Sequence, residues 1–175
     1  MACEECGFSH ESVPIEDAAS VLRELGPRYR VPLTRGLRNE DLDSLLRSHP
    51  IDGTWSALEY ACHMRDVLAI QRERLAIART QDGYAPEPMR RDERVLELRY
   101  NEQDPLEVAD ELAAKADNVA SLVETFAPDD WEHTMTYNFP ERAERPLTWV
   151  VRHTVHEGEH HLLDIGRVLR SARGR

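Results

Sequence analysis

Three stretches of this sequence place apolar residues three and four positions apart over many turns, and that period commits most of the chain to long helices rather than to a sheet. The first, Trp55 to Gln81, carries Tyr60, Met64, Val67, Leu68 and Leu75, with Thr54, Ser56 and Glu59 as start signals. The second opens on Asp104 as N-cap, Pro105 in the first helical position and Glu107 close behind. It continues through Val108, Leu112, Val119, Leu122 and Phe126 until Pro128 ends it. A third begins after Pro146, strings Leu147, Val151, Val155, Leu162, Ile165 and Leu169 along one stripe, and dissolves into Ser171 to Arg175. Nearer the N-terminus, Asp17 to Leu25 is helical in pattern. Gly26, Pro27 and Pro32 interrupt it before Leu33 and Leu37, which predicts a kinked or two-piece helix.

Four helical segments with no repeat, and no strand pattern sufficient for a sheet, predict an all-α four-helix bundle, whose interior is the usual place for inward-pointing ligands. Two long connectors join them. Asp82 to Asp104 holds Pro86, Pro88 and a short helical piece around Val95 to Leu98; Asp129 to Pro146 includes Thr134 to Phe139, expected to be briefly extended. At 175 residues the chain reads as one domain, 1–175, with 1–14 as a Cys-x-x-Cys tail. A net charge of -11 repels phosphate backbones and anionic lipid, so neither nucleic acid nor a membrane is an expected partner. The start of the chain has no signal core, and three cysteines, an odd number, fit a reducing compartment; both readings predict a cytoplasmic protein.

Four of the eight histidines, His153, His156, His160 and His161, fall in the third helix. His156-Glu157-Gly158-Glu159-His160 sets two imidazoles one turn apart, which is metal-ligand spacing. An isolated pair of this kind is more often solvated than metal-bound, and a catalytic site takes three protein ligands with an open position. His63 in the first long helix is the natural third ligand, giving an expected set of His63, His156 and His160. Glu59 and Asp66 share the His63 face, and with Glu157 they are the expected proton-transfer groups, although plain surface pairing would explain each of them too. His153 and His161 read as orienting or surface residues. The stripe of Leu147, Val151 and Val155 lies opposite His156 and His160, so both faces of the helix need cover, and a homodimer would supply it.

HExxH on a helix also marks zinc proteases, with the Glu as general base. Too little chain follows His160 for a downstream ligand helix, and no edge strand is predicted to align a peptide, so that reading is set aside. Cys3-Glu4-Glu5-Cys6 with Gly7, Phe8 and His10 looks like half of a zinc ribbon; with Cys62 as the only other cysteine it reads as a free reduced tail, unless His10 and one more residue, or the same segment of a partner, complete it.

Trp55-Ser56 with Glu59 and His63, and His153, His156-Glu157 and His160-His161, in that order and separation, resemble the DinB-like superfamily, which includes YfiT-like metal hydrolases and mycothiol-dependent maleylpyruvate isomerases. The resemblance spans Leu33 to Leu169. It implies a four-helix bundle of down-up-up-down connectivity and a divalent ion on His63, His156 and His160. The chain departs from the family in carrying Leu162-Leu163-Asp164 where a Gln is common, and in its Cys-x-x-Cys head.

The resemblance implies thiol-dependent S-transfer or isomerisation, and with the histidine reading the expectation is a metal-dependent thiol S-transferase or isomerase. Its ion, zinc above nickel or iron, would activate a low-molecular-weight thiol of the mycothiol or bacillithiol type toward a small electrophile. Tyr100, Asn101, Tyr137, Trp149 and Arg167 are the expected substrate-binding residues. Two alternatives are a non-catalytic metal-binding stress or sensor protein and a metal-dependent hydrolase.

Overall fold

Six α-helices account for most of the chain in the computed structural model, which describes residues 2–138 and 141–174. Met1, Phe139, Pro140 and Arg175 lie outside the described residues. The four long helices are α1 (Ala18–Thr34), α3 (Ala57–Ala78), α5 (Pro105–Val123) and α6 (Leu147–Ala172); α2 (Leu42–Arg47) and α4 (Arg91–Glu97) are short pieces in the connectors. A hairpin of β1 (Thr134–Tyr137) and β2 (Ala143–Pro146), antiparallel with Thr134 opposite Pro146, precedes α6.

Local chemistry sets the boundaries. Ser56 accepts from the Glu59 amide while the Glu59 carboxylate accepts from the Ser56 amide, a reciprocal cap that starts α3. Asp104 accepts from the amides of Leu106 and Glu107, and Pro105 occupies the first helical position of α5, where a missing N–H costs nothing. Of the expected kinked or two-piece helix, the two-piece form does not occur: α1 runs through Pro27 and Pro32. Pro27 faces solvent, so water can satisfy the carbonyl its ring frees, while Leu22, Leu25, Tyr29 and Leu33 are held in the core on either side of it. Gly26 permits the close approach of α5, since a Cβ there would sit 2.9 Å from that of Ala113. Thr134–Tyr137 is extended as expected, but its partner strand β2 and the helix α2 are elements that periodicity did not predict.

Cross-helix pairs define the connectivity. Arg23 with Asp117 and Glu124, and Arg30 with Asp110, make α1 antiparallel to α5. Arg28 with Glu159, and Arg173 with Glu40 beyond the end of α1, make α1 parallel to α6. Arg65 with Glu111 and Arg79 with Thr125 make α3 parallel to α5. The path is therefore down-up-up-down, and α6 packs against both α1 and α3. Its apolar stripe, Leu147, Val151, Val155, Ile165 and Leu169, is buried in the shared core. Its opposite face is covered by residues of the N-terminal segment: Phe8 stacks on His156, His10 on Trp149 and His153, and Arg152 and Arg167 donate to the carbonyls of Val13 and Glu5. The segment expected to be a free tail is thus a strap running antiparallel to α6, and the two faces that suggested a homodimer both find cover within the chain.

Candidate metal centre

His63 lies a turn and a half into α3, 3% exposed, with the Trp55 ring 4.9 Å away between centroids. Across the interface with α6 it meets His161, at 5.0 Å between ring centroids. Donor atoms of His63, Glu157 and His161 all lie within 4.8 Å of one another. The expected trio of His63, His156 and His160 is not assembled. His156 and His160 instead point to the outer face of α6, where they group with Cys3 and Cys6, and His156 also with His10 and His153. The reason is helical phase. Successive residues turn by about 100°, so Glu157 and His161 flank the apolar stripe and face α3 while His156 is on the far side.

Electrostatics prepare the inner group. Burial, reinforced by neighbouring His161, pushes His63 down to about 3, so its imidazole is neutral at neutral pH and has a lone pair to offer. His63 Nδ1 is buried with no hydrogen-bond partner among the described residues, an unmet demand that a cation would satisfy. Burial opposes charge on Glu157, but contacts from His153 and His161 outweigh it and hold the carboxyl well below its usual range. His153 Nε2 stands 3.2 Å from Glu157 Oε1. For His161 burial favours the neutral form, yet Asp164 and Glu157 raise it to about 9. Its Nδ1 lies 3.1 Å from Asp164 Oδ2, leaving Nε2 turned toward Glu157 at 3.6 Å. A carboxylate behind a histidine is the arrangement that fixes the tautomer and aim of a metal-binding ring. Two imidazoles and a carboxylate fit zinc, nickel or iron, and any of these must displace the His161 proton to bind.

His63 and Glu157 line a cleft of about 200 Å³ together with Val67, Ile70, Gln71, Arg74, Met89, Arg90, Arg91, Tyr137 and Asn138, while His161 borders a separate pocket beside Tyr60 and Asp164. Tyr137 rests edge-on against Trp149 and His153, and its hydroxyl accepts from Gln71 Nε2 at 2.9 Å. Burial raises the Tyr137 phenol, so it stays protonated and able to donate. Arg74 donates to the Glu87 carbonyl and has no carboxylate partner among the described residues. Arg90 holds a left-handed backbone, φ 56°, a conformation that favours glycine, at the lip of the cleft. A wall of three arginines stands out on a chain whose net charge is -11.

The remaining expected site residues have other positions. Glu59 is committed to the α3 cap and to His49 at 2.8 Å. Asp66 is ringed by Arg65, Arg94 and the Tyr100 hydroxyl, an internal ion network outside the cleft lining. Tyr100 is fully buried, and Asn101 joins Ser56 to the carbonyl of Arg47. Trp149 stacks on His153 at 4.4 Å, one layer behind the cleft. Arg167 pairs with Asp164 and braces the strap at Glu5. Of the predicted wall, Tyr137 lines the cleft; Gln71, Arg74, Arg90 and Arg91 went unpredicted. The sequence did offer one signal for the third ligand, because Glu157 and His161 repeat the same four-residue spacing one position on.

A four-helix bundle in which a histidine of α3 meets a histidine-carboxylate pair of α6 beside a cleft defines a helical bundle with a candidate metal centre. The profile of the DinB superfamily matches residues 33–165, and the chain belongs to that superfamily. Among solved structures it is similar to YfiT from Bacillus subtilis, described as a probable metal-dependent hydrolase with an unusual four-helix bundle topology. The TM-score is 0.78 at 17% identity, covering 93% of this chain and 89% of that one. It is also similar to a mycothiol-dependent maleylpyruvate isomerase, with TM-score 0.69 at 15% identity, covering 91% of this chain and 63% of the isomerase. A histidine-to-alanine variant of that isomerase matches with TM-score 0.67 at 14% identity, over 91% of this chain and 63% of the variant. No curated protein sequence matches the chain. No described helix is long and apolar enough to cross a membrane.

Proposed function

We propose that the protein is a divalent-metal-dependent enzyme that uses a low-molecular-weight thiol against a small anionic electrophile, as a thiol S-transferase or isomerase. The observation that carries this reading is that His63 and Glu157, two of the three grouped donors, line a cleft walled by Arg74, Arg90 and Arg91. Three protein ligands beneath an open cleft is the catalytic pattern, whereas a structural ion is sealed by a fourth ligand, which argues against a purely stress-related or sensory metal site. When bound there, a divalent ion supplies Lewis acidity that lowers the pKa of a thiol or water.

The chain's own residues supply the rest. His63 and His161 offer imidazole nitrogens, and Glu157 offers a carboxylate that His153 and His161 keep charged against the opposing effect of burial. Asp164 aims His161 through Nδ1, and His153 steadies Glu157. The Tyr137 hydroxyl is placed to donate to an oxygen that gains negative charge, with Gln71 fixing its direction. Arg74 provides a guanidinium for a carboxylate of the thiol or of the acceptor. The likeness to a mycothiol-dependent isomerase supports a thiol co-substrate, and the likeness to YfiT supports a second reading in which water replaces the thiol and the reaction is hydrolysis. Zinc fits the donor set best among common ions, and we place the protein in the cytoplasm, where such thiols are kept reduced.

The deciding experiment incubates metal-loaded protein with mycothiol, bacillithiol or glutathione and a panel of electrophilic carboxylates. Metal-dependent thiol adduct, or thiol-dependent isomerisation without net thiol loss, is the expected result. Turnover of esters or amides in the absence of thiol would favour the hydrolase. No metal-dependent turnover in either arm sinks the enzyme reading.

A further inference from the structure

The outer face of α6 holds a second set of metal-binding groups, made with residues of the strap. Cys3, Cys6, His156 and His160 place one donor atom each within 4.8 Å of all the others. We infer that these four residues form a structural zinc site of Cys2His2 type, separate from the cleft, that clamps the N-terminal strap onto α6.

Several independent features converge on this assignment. Both cysteines are free thiols. Cys3 Sγ is 3.8 Å from His160 Nδ1, close to the roughly 3.6 Å that separates a thiolate and an imidazole on one tetrahedral zinc. His156 has both ring nitrogens buried and without a hydrogen-bond partner among the described residues, which a merely packed histidine would not leave unmet. The loop that carries the cysteines is already folded: the amide of Gly7 donates to the Cys3 carbonyl and that of Cys3 to the Phe8 carbonyl, both at 2.8 Å. Gly7 sits at φ 75°, where a side chain would be strained, so the tight return that brings the two sulfurs together needs a glycine there. Behind His160, Nε2 faces Glu5 Oε2 at 3.4 Å and Asp164 Oδ2 at 3.6 Å, leaving Nδ1 for the ion. The charge balances, since Zn²⁺ with two thiolates and two neutral imidazoles is uncharged and two thiol protons leave to solvent. Four protein ligands leave no open position, so this site holds structure and the cleft keeps the chemistry.

The clamp has a mechanical consequence. Phe8 and His10 follow directly behind Cys6, and His10 Nε2 is 3.3 Å from His153 Nδ1, the ring whose other nitrogen faces Glu157. Fixing the strap therefore supports the carboxylate of the cleft from behind.

Cobalt substitution of the intact protein tests the assignment without a mutation. Co²⁺ at this site should give an intense near-ultraviolet thiolate-to-metal charge-transfer band together with tetrahedral visible bands. His63→Ala should keep the charge-transfer band and lose one of two equivalents of metal, while Cys3→Ser with Cys6→Ser should lose the band and keep the other equivalent. A cobalt spectrum of the intact protein without the charge-transfer band overturns the proposal. So does a metal content unchanged by the cysteine replacements, which would assign the outer ion to His10, His153 and His156. Turnover in the cleft is not part of either readout, so failure of the proposed activity leaves this test standing.

Discussion

At the scale of single residues, position around the helix outweighs identity. Counted from Leu147 at about 100° per residue, His156 comes out about 180° away, whereas Glu157 and His161 stand about 80° and 40° off the apolar stripe. A ligand that faces a bundle interior must flank the stripe, so the sequence contained the means to choose Glu157 and His161. The HExxH spelling pointed instead to His156 and His160, which group with Cys3 and Cys6 on the outer face. Asp164 touches rings of both histidine groups, with Oδ2 3.1 Å from His161 Nδ1 and 3.6 Å from His160 Nε2. Asp164→Asn is expected to weaken metal binding about 10- to 100-fold, as loss of an outer-shell carboxylate typically does, read by competition with a chelator. Asp66 belongs to stability instead. Its burial disfavours the charge, but Tyr100, Arg94 and Arg65 more than compensate and hold its pKa below the ordinary value. A depressed carboxylate contributes stability that is present above its unfolded pKa of about 3.9 and is lost as pH falls through the lower folded value. Asp66→Asn should cost about 1–3 kcal/mol at neutral pH, because Arg94 and Tyr100 lose a charged acceptor and the buried Arg65 keeps only Glu111 as a carboxylate partner among the described residues, and should flatten the acid limb of the unfolding curve.

Among the elements, α3, α5 and α6 were legible because their starts are written in short-range chemistry: a reciprocal cap at Ser56 and Glu59, an Asp104-Pro105 start, and Pro146 before Leu147. Ser56→Ala should remove one half of that cap and lower stability by about 1 kcal/mol in a denaturant titration. What could not be read were contacts made at a distance. Nothing local says that α1 survives Pro27, because the packing that holds it comes from α5 and α6. Gly158, mid-helix in α6, looks like a flaw until α1 is seen against it: an added Cβ would lie 2.5 Å from Leu25 Cδ1, and Tyr29 donates to the Gly158 carbonyl at 2.8 Å. Gly158→Ala would gain helix propensity yet overpack this contact, so a net loss of about 1–3 kcal/mol is expected by thermal or chemical unfolding. Because Gly158 directly follows Glu157, the same change should also lower metal affinity.

For the molecule as a whole, the bundle was predictable and its surface organisation was not. Alternating helical segments and connectors sufficed for the fold class and, with the family resemblance, for the order of directions. The strap escaped notice because it is short, polar and without period; only its landing on α6 gives it shape. Metal should stabilise the whole protein by linkage, since an unfolded chain cannot assemble donors from α3, α6 and the N-terminus at once. Zinc at about 100 times its dissociation constant should contribute about 2.7 kcal/mol per site, visible as a rise in Tm that a chelator reverses.

The two donor pairs on α6, residues 156 with 160 and residues 157 with 161, are the same four-residue motif written twice with an offset of one. Which pair faces inward is set by the apolar stripe of the same helix: a turn of about 100° that brought residues 156 and 160 into the places of 157 and 161 would also carry Leu147, Val151 and Val155 away from the core.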